Sequence, residues 1–418
     1  MILRSARFLL TRLLFLVTGL PITRYRKEVE NLWRLSEGER AENVGRLLAC
    51  NRPINAAGIE VSGLEALRSS PSLSKKQLRN QSMKGQGKKG GSGFGRHTAG
   101  TTGEPTQILL DRNELARMLG VRDYCFRHYG VKLGYREARL WGRAEAGVKS
   151  WLRNFVMNRR VFHPVGPKAE DEVEALLKWQ PDYLYGYASL LLEAARILAT
   201  MDIEFHPPKC VVCTAESILP AQKAYISRVF KAPVAEEYGS TEFDVIAFEC
   251  TEGHRHLVNP WLIVENSEHE CLVTDVSRQT QSLIKYQLGD SLSISTSSCQ
   301  RLGNYQIIDC LEGRSLDRFF YITEHEKVHA TIFPPLFEKY FFENNEIFGF
   351  TVVQVGLSEV NVLVDDLNQS RRKYLKYFIE KELKNILNVD INVSVILQGG
   401  EKIEGKRGYF KQRISVLS

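Results

Sequence analysis

The sequence predicts an α/β protein: a large N-terminal domain of mixed sheets and helices, followed by a small α+β C-terminal domain. Three observations carry that expectation. The chain has 418 residues, 43% hydrophobic and 25% charged, enough for two or three domains with separate cores. From about Asp171 to Val273, short apolar runs alternate with segments of helical period, the pattern of helices layered on a sheet. After Arg314, a tail of about a hundred residues reads strand, strand, helix, strand.

Met1–Pro21 is apolar but carries Arg4, Arg7 and Arg12. A membrane-spanning helix needs about 20 largely apolar residues, and an arginine near its centre costs at least ~2.5 kcal/mol. A cleaved leader would keep its charges ahead of the apolar run, whereas Arg12 interrupts it. The stretch reads as a basic amphipathic helix, lying either on the folded body or on a membrane surface. Residues 22–70 read as helical, and Ser72-Leu73-Ser74-Lys75-Lys76 as a helix cap. Lys84–Gly95 is a glycine-rich basic linker by composition. Helical spacing covers Glu114–Arg139, Asp171–Trp179 and Ser189–Met201. Strand candidates are Cys210–Cys213, Ala232–Val234, Val245–Phe248 and Cys271–Val273. In the tail they are Phe350–Val355, Val360–Val364 and Ile391–Ile396, around a helix Gln369–Ile386.

Eight cysteines without a short-range framework point to reduced thiols in a cytoplasmic protein rather than to disulfides. A formal charge of +7 suits an anionic small molecule or an acidic membrane surface. No nucleic-acid partner is expected, because the basic run Lys84–Arg96 lacks an interleaved series of aromatics.

Thr98-Ala99-Gly100-Thr101-Thr102-Gly103-Glu104-Pro105-Thr106 sets two glycines among hydroxyl side chains, a loop able to wrap a polyphosphate with its N–H groups. It lacks the spacing and the lysine of a Walker loop. Four further segments follow in order: Tyr238-Gly239-Ser240-Thr241-Glu242, Tyr286-Gln287-Leu288-Gly289-Asp290, Glu312-Gly313-Arg314-Ser315-Leu316-Asp317 and Glu404-Gly405-Lys406-Arg407. Together they resemble the ordered motifs of adenylate-forming enzymes, the acyl-CoA synthetase and ligase superfamily. The likeness is to the phenylacetate–CoA ligase-like branch that includes CapK-type proteins of capsular polysaccharide gene clusters. It runs from roughly Leu73 to Lys411.

That resemblance implies an N-terminal domain over residues 1–312, a hinge at 313–317 and a mobile lid over 318–418. It implies ATP and Mg²⁺ as cofactors and a small-molecule carboxylic acid as substrate, activated as its adenylate with release of pyrophosphate. The acceptor stays open among CoA, a carrier-protein thiol and an amine or hydroxyl on a sugar precursor, in polysaccharide or specialised metabolite biosynthesis. In this scheme Thr98, Gly100, Thr101, Thr102 and Gly103 hold the β- and γ-phosphates. Ala215 and Glu216 line the adenine pocket, and Tyr238, followed by Gly239 and Ser240, stacks on adenine. Thr241 touches the α-phosphate, and Glu242 holds Mg²⁺, a hard cation that prefers carboxylate oxygen. Asp290 takes the ribose hydroxyls, with Arg314 beside them. Lys406 is the candidate catalytic lysine, with Lys402 and Lys411 as competitors.

Tyr185-Gly186-Tyr187 resembles the segment near the acyl pocket, although aromatics there equally suit a core. The plain structural alternative for Tyr238–Glu242 is a strand-to-helix turn with a capping hydroxyl. Glu104 replaces a lysine often found before this proline, and Leu316 stands where relatives have the hinge aspartate. Those departures leave a second reading open, a non-catalytic nucleotide-binding relative acting as scaffold or regulator. Cys250, His254, His256 and Cys299 fall where several relatives bind structural zinc. Arg301 stands at the second position of the later Cys-x-Cys pair, which favours a turn without metal.

Overall fold

The computed structural model describes residues 2–83, 94–97, 106–141, 147–266, 270–314, 319–398 and 410–412. They fall into two compact units. The first comprises Met1–Tyr135, Gly147–Arg159 and Ala235–Leu311; the second comprises Arg136–Ala146, Arg160–Val234 and Glu312–Ser418.

In the first unit, the strands Val234–Ser240, Asp244–Glu249 and Arg255–Leu257 run antiparallel in sequence order. Gln306–Arg314 joins beside Arg255–Leu257, and Asp290–Thr296 lies next to it. A separate antiparallel sheet is made by Leu262–Asn266, Cys271–Asp275 and Tyr286–Gln287. Their inward residues, Phe243, Ile246, Val273 and Leu283 among them, share one core with Leu73, Leu78 and Ile108. The expected cap near Ser72–Lys76 is a capping box: Ser74 and Gln77 bond reciprocally at the start of helix Lys75–Met83. A second box, Asp111 with Glu114, opens helix Arg112–Arg127. The Glu114 carboxylate is buried, and its Oε1 also accepts the N–H groups of Gln279 and Thr280 at 2.8 and 2.9 Å.

Two expectations need correction here. The helix expected over Glu114–Arg139 ends at Arg127, because the Asp123 carboxylate captures the Leu133 N–H (2.8 Å) and folds the next residues into a buried turn. Val131 and Leu133 supply the apolar spacing from that turn rather than from a helix. The strand expected at Ala232 starts at Val234, because Ala232 N–H still closes the preceding helix onto Ser227 (3.1 Å).

In the second unit, Val211–Thr214, Tyr183–Tyr187 and Glu137–Leu140 are parallel neighbours, with Arg159–Phe162 beyond them. Their fully buried side chains meet helices Ala169–Trp179, Ala188–Thr200 and Pro220–Phe230 in one core. The tail forms a four-stranded sheet in the order Asn392–Leu397, Glu359–Val364, Phe350–Gly356, Phe410–Gln412. Helix Gln369–Leu387 supplies Leu375, Ile379 and Leu383 to the core of that sheet. Helix Phe333–Asn344, which the sequence reading passed over, adds Phe337, stacked on Phe350 at 3.5 Å. Leu219 belongs to the same core, and Gln222 Nε2 donates to the Phe348 carbonyl at 2.9 Å. The tail elements are thus continuous with helix Pro220–Phe230.

Candidate functional site

The Tyr-Gly-Ser-Thr-Glu motif ends one strand and turns into the next. The strand-to-helix alternative is corrected: Val234–Ser240 pairs antiparallel with Asp244–Glu249, with a register shift at Tyr238/Gly239. A Cβ on Gly239 would lie 1.9 Å from the Asp244 carbonyl oxygen, so only glycine fits there. Asp244 itself takes a left-handed backbone, φ 61°.

This turn is held by buried charge. Arg122 reaches Asp244 at 2.9 Å and Glu237 at 3.3 Å, and Arg96 reaches Asp244 at 3.4 Å. Arg96 lies on Phe94–His97, which pairs with Gln107–Leu110; residues 98–105 connect the two strands. The cluster therefore ties the strands flanking the threonine- and glycine-rich segment to the Tyr238–Glu242 turn. Burial pushes the Asp244 carboxyl up, but Arg122 and Arg96 outweigh it and hold the carboxyl below its ordinary value. A depressed pKa contributes stability that is complete above the ordinary carboxylate range and is lost as pH falls through the folded value. Asp244→Asn should therefore destabilise the protein at pH 7 by roughly 3 kcal/mol, leaving Arg122 buried without its closest partner. It should also flatten the acid limb of stability below about pH 4. Thermal midpoints of both proteins across pH check this; parallel acid limbs would count against it.

The structure brings two expected nucleotide-reading residues together. Tyr238 OH donates to Asp290 Oδ2 at 2.8 Å. Burial, and then the Asp290 charge, push the phenol well above its ordinary value, so it remains a donor. Glu242 is buried, with Oε1 accepting from Tyr286 OH at 2.9 Å and its backbone carbonyl accepting from Arg278. Ser240 Oγ is buried without a partner among the described residues, an unmet polar atom beside the motif. Glu242 has the donor chemistry a hard divalent cation takes, through its second carboxylate oxygen.

In the second unit, Ala215 follows Val211–Thr214 in a left-handed conformation, φ 67°. Glu216 Oε2 accepts the Ser189 N–H at 2.9 Å, tying it to the start of helix Ala188–Thr200. Tyr185, Gly186 and Tyr187 close the strand before that helix. A Cβ on Gly186 would sit 2.4 Å from the Leu140 carbonyl oxygen, so the strands meet there without a side chain. Beside them lies an aromatic group that the sequence reading missed, the expected helix Glu114–Arg139 covering most of strand Glu137–Leu140. Trp141 is 4.1 Å from Tyr187 and stacks on Tyr185 at 6.2 Å between ring centres. The Arg139 guanidinium lies 4.6 Å over Tyr185 and pairs with Glu137 at 2.7 Å.

Thr98, Gly100, Thr101, Thr102, Gly103, Glu104, Leu316, Lys402 and Lys406 lie outside the described residues. Arg314 ends strand Gln306–Arg314, and Ser315 to Asp317 of the expected hinge fall outside as well.

The four residues weighed between structural zinc and a metal-free turn lie together. One ligand atom each from Cys250, His254, His256 and Cys299 lies within 4.8 Å of the others. His254 thus supplies the fourth donor that Arg301 cannot. The two sulfurs are 3.8 Å apart, and tetrahedral zinc with Zn–S near 2.3 Å sets about that spacing. His256 Nδ1 bonds the Asn304 carbonyl, and its Nε2 is buried without a partner among the described residues. A backbone bond on one ring nitrogen is how a ligand imidazole is oriented. Burial lowers the His256 imidazole and raises the Cys250 thiol; the first favours the ligand form, while the second needs a cation to ionise. The set fits a closed structural zinc site.

No family model matches the chain. It is similar to Protein CapK of Staphylococcus aureus, 25% identical over 211 residues, which are 47% of this chain and 47% of that protein. The match thus spans about half the length of each. Among solved structures, 2-hydroxyisobutyryl-CoA ligase in the postadenylation state with R3-HIB-AMP aligns with TM-score 0.63 and 13% identity. The alignment covers 94% of this chain and 88% of the ligase. The same ligase with 2-HIB-AMP and CoA in the thioesterification state aligns with TM-score 0.53 and 15% identity, covering 91% of each. The chain has the α/β fold of that acyl-CoA ligase.

Proposed function

We propose that the protein activates a carboxylic acid with ATP as its acyl-adenylate, releasing pyrophosphate, and passes the acyl group to CoA or another nucleophile. The observation that carries this reading is the Tyr238–Asp290 pair beside buried Glu242, on the fold of enzymes that bind acyl-AMP. An anion attacking a polyanion faces a mainly electrostatic barrier, so the residues must position the two and offset charge. Asp290 accepts from vicinal ribose hydroxyls, and Tyr238 fixes its carboxylate while presenting a ring face to the base. Glu242 holds Mg²⁺, which neutralises phosphate charge when bound. Lys406 offsets charge on the carboxylate and the α-phosphate. Tyr185, Gly186 and Tyr187 face the acid, and the Cys250, His254, His256, Cys299 set holds zinc in a structural role. The CapK similarity supports a place in surface-polysaccharide or related biosynthesis, with a sugar-linked acceptor beside CoA and a carrier thiol.

Asp290→Asn should raise the KM for ATP by about tenfold or more with a smaller change in kcat, as expected when charge-assisted hydrogen bonds worth roughly 1.5–3 kcal/mol are weakened. Tyr238→Phe, which keeps the ring, should cost less. The nucleotide product should be AMP. Release of ADP, or an unchanged KM in Asp290→Asn, would rule the reading out.

A further inference from the structure

The N-terminal helix Ile2–Val17 packs on the body of the first unit through one face. Phe8 stacks edge-on against Tyr135 at 5.0 Å, and Thr11 and Phe15 are buried. Its other face leaves Leu9, Leu13, Leu16 and Val17 in solvent, Val17 at 74% exposure. Packing on the body therefore accounts for only part of its apolar surface.

A second helix, Val148–Val156, continues that surface and is turned inside out. A surface helix normally points its apolar stripe at the core. Here Val148, Trp151, Leu152 and Phe155, at positions i, i+3, i+4 and i+7, form the stripe, and all four are exposed, Val148 at 79% and Trp151 at 64%. The inward face carries Ser150, which is buried. The two helices are adjacent: Arg7 donates to the Phe155 carbonyl, and its guanidinium lies 4.5 Å over the Phe155 ring.

Charge distinguishes what would cover this face. Residues 1–27 and 147–169 contain no Asp or Glu, and the face itself carries Arg7, Lys149 and Arg153. A second copy docked on the same patch would set these cations against each other. An anionic lipid surface complements them, accepts the apolar side chains below its headgroups, and suits a tryptophan at that depth. No single helix among the described residues is long and apolar enough to cross a membrane; the bent pair Ser5–Val17 and Ile22–Leu32 has the length and composition together, but Ile22, Tyr25 and Val29 of its second helix are buried in the protein.

We infer that helices Ile2–Val17 and Val148–Val156 together form a membrane-docking face that binds anionic bilayers peripherally. The inference stands apart from adenylation, because none of these residues belongs to the nucleotide, acyl or metal groups above. The test is flotation of the full chain with vesicles of phosphatidylcholine alone or mixed with phosphatidylglycerol, at low and high salt. Wild type should float with the mixed vesicles and less with the neutral ones, and salt should weaken binding. Leu13→Glu/Trp151→Glu should bind the mixed vesicles at least about tenfold more weakly. Lys149→Glu/Arg153→Glu should lose the preference for anionic lipid. Circular dichroism checks folding, and Trp151→Ser/Leu152→Ser is the milder variant if the double glutamate misfolds. Absent flotation of wild type, or equal flotation of wild type and folded variants, overturns the inference. So does a wild-type dimer in sedimentation velocity that Leu13→Glu/Trp151→Glu dissociates, since a second copy would then cover the face.

Discussion

Cys250→Ser/Cys299→Ser is expected to abolish zinc binding and to lower stability by at least ~3 kcal/mol. Four donors from two strand ends and the turns beside them meet at one point, with sulfurs 3.8 Å apart and the His256 ring pinned by Asn304. Structural zinc contributes about 10–16 kcal/mol where it organises an otherwise unfolded peptide. Here Cys250 is buried and Arg255–Leu257 is already paired on both sides, so much of the site is preformed and the loss is smaller. Metal analysis of the purified wild type should find about one zinc ion per chain. A chelator should lower its thermal midpoint toward that of the variant. His254→Ala should weaken zinc retention as His256→Ala does, because His254 completes the set. Metal-free wild-type protein, unchanged by added zinc, would refute the assignment.

Lys406→Ala should reduce acyl-adenylate formation by about a hundredfold or more. In the proposed reaction, negative charge gathers where the carboxylate meets the α-phosphate, and removing one well-placed donor from such a site costs about 2.7–4 kcal/mol. Of its competitors, Lys411 sits on strand Phe410–Gln412 in register with Val353, fixed in the tail sheet. Lys411→Ala should accordingly leave the rate within a few fold, whereas Lys406→Ala should lower kcat without a matching rise in the KM for ATP. Single-turnover quantitation of acyl-AMP reads both effects. A large loss in Lys411→Ala with none in Lys406→Ala would move the role.

Much of the architecture was legible because it is written in local pattern. The tail strands and helix Gln369–Leu387 follow their apolar period to within a residue or two. What local pattern could not show is capture from a distance. Asp123 takes the Leu133 N–H and ends a helix whose apolar spacing runs on into a turn. The same helix expectation, ending at Arg139, hid the strand Glu137–Leu140 that brings Arg139 and, just beyond it, Trp141 beside Tyr185. At the candidate site, the pairing of Tyr238 with Asp290 across 52 positions of sequence is a fact of strand order, which motif spacing does not encode. His254 as a candidate fourth donor was visible as a residue type but not as geometry, since expectation rested on a later cysteine that Arg301 replaces. The outward stripe of Val148–Val156 has the period of an ordinary core helix; only burial shows that it faces away.

Acid-dependent exchange of labelled pyrophosphate into ATP tests the central claim most directly, because it reads the first half-reaction without presuming an acceptor. A panel of aryl, fatty, hydroxy and amino acids would be run with the wild type and Lys406→Ala. The proposed function requires exchange stimulated by one acid class and lost in the variant. ATP binding with no exchange for any acid would contradict it and leave a nucleotide-binding protein without adenylation.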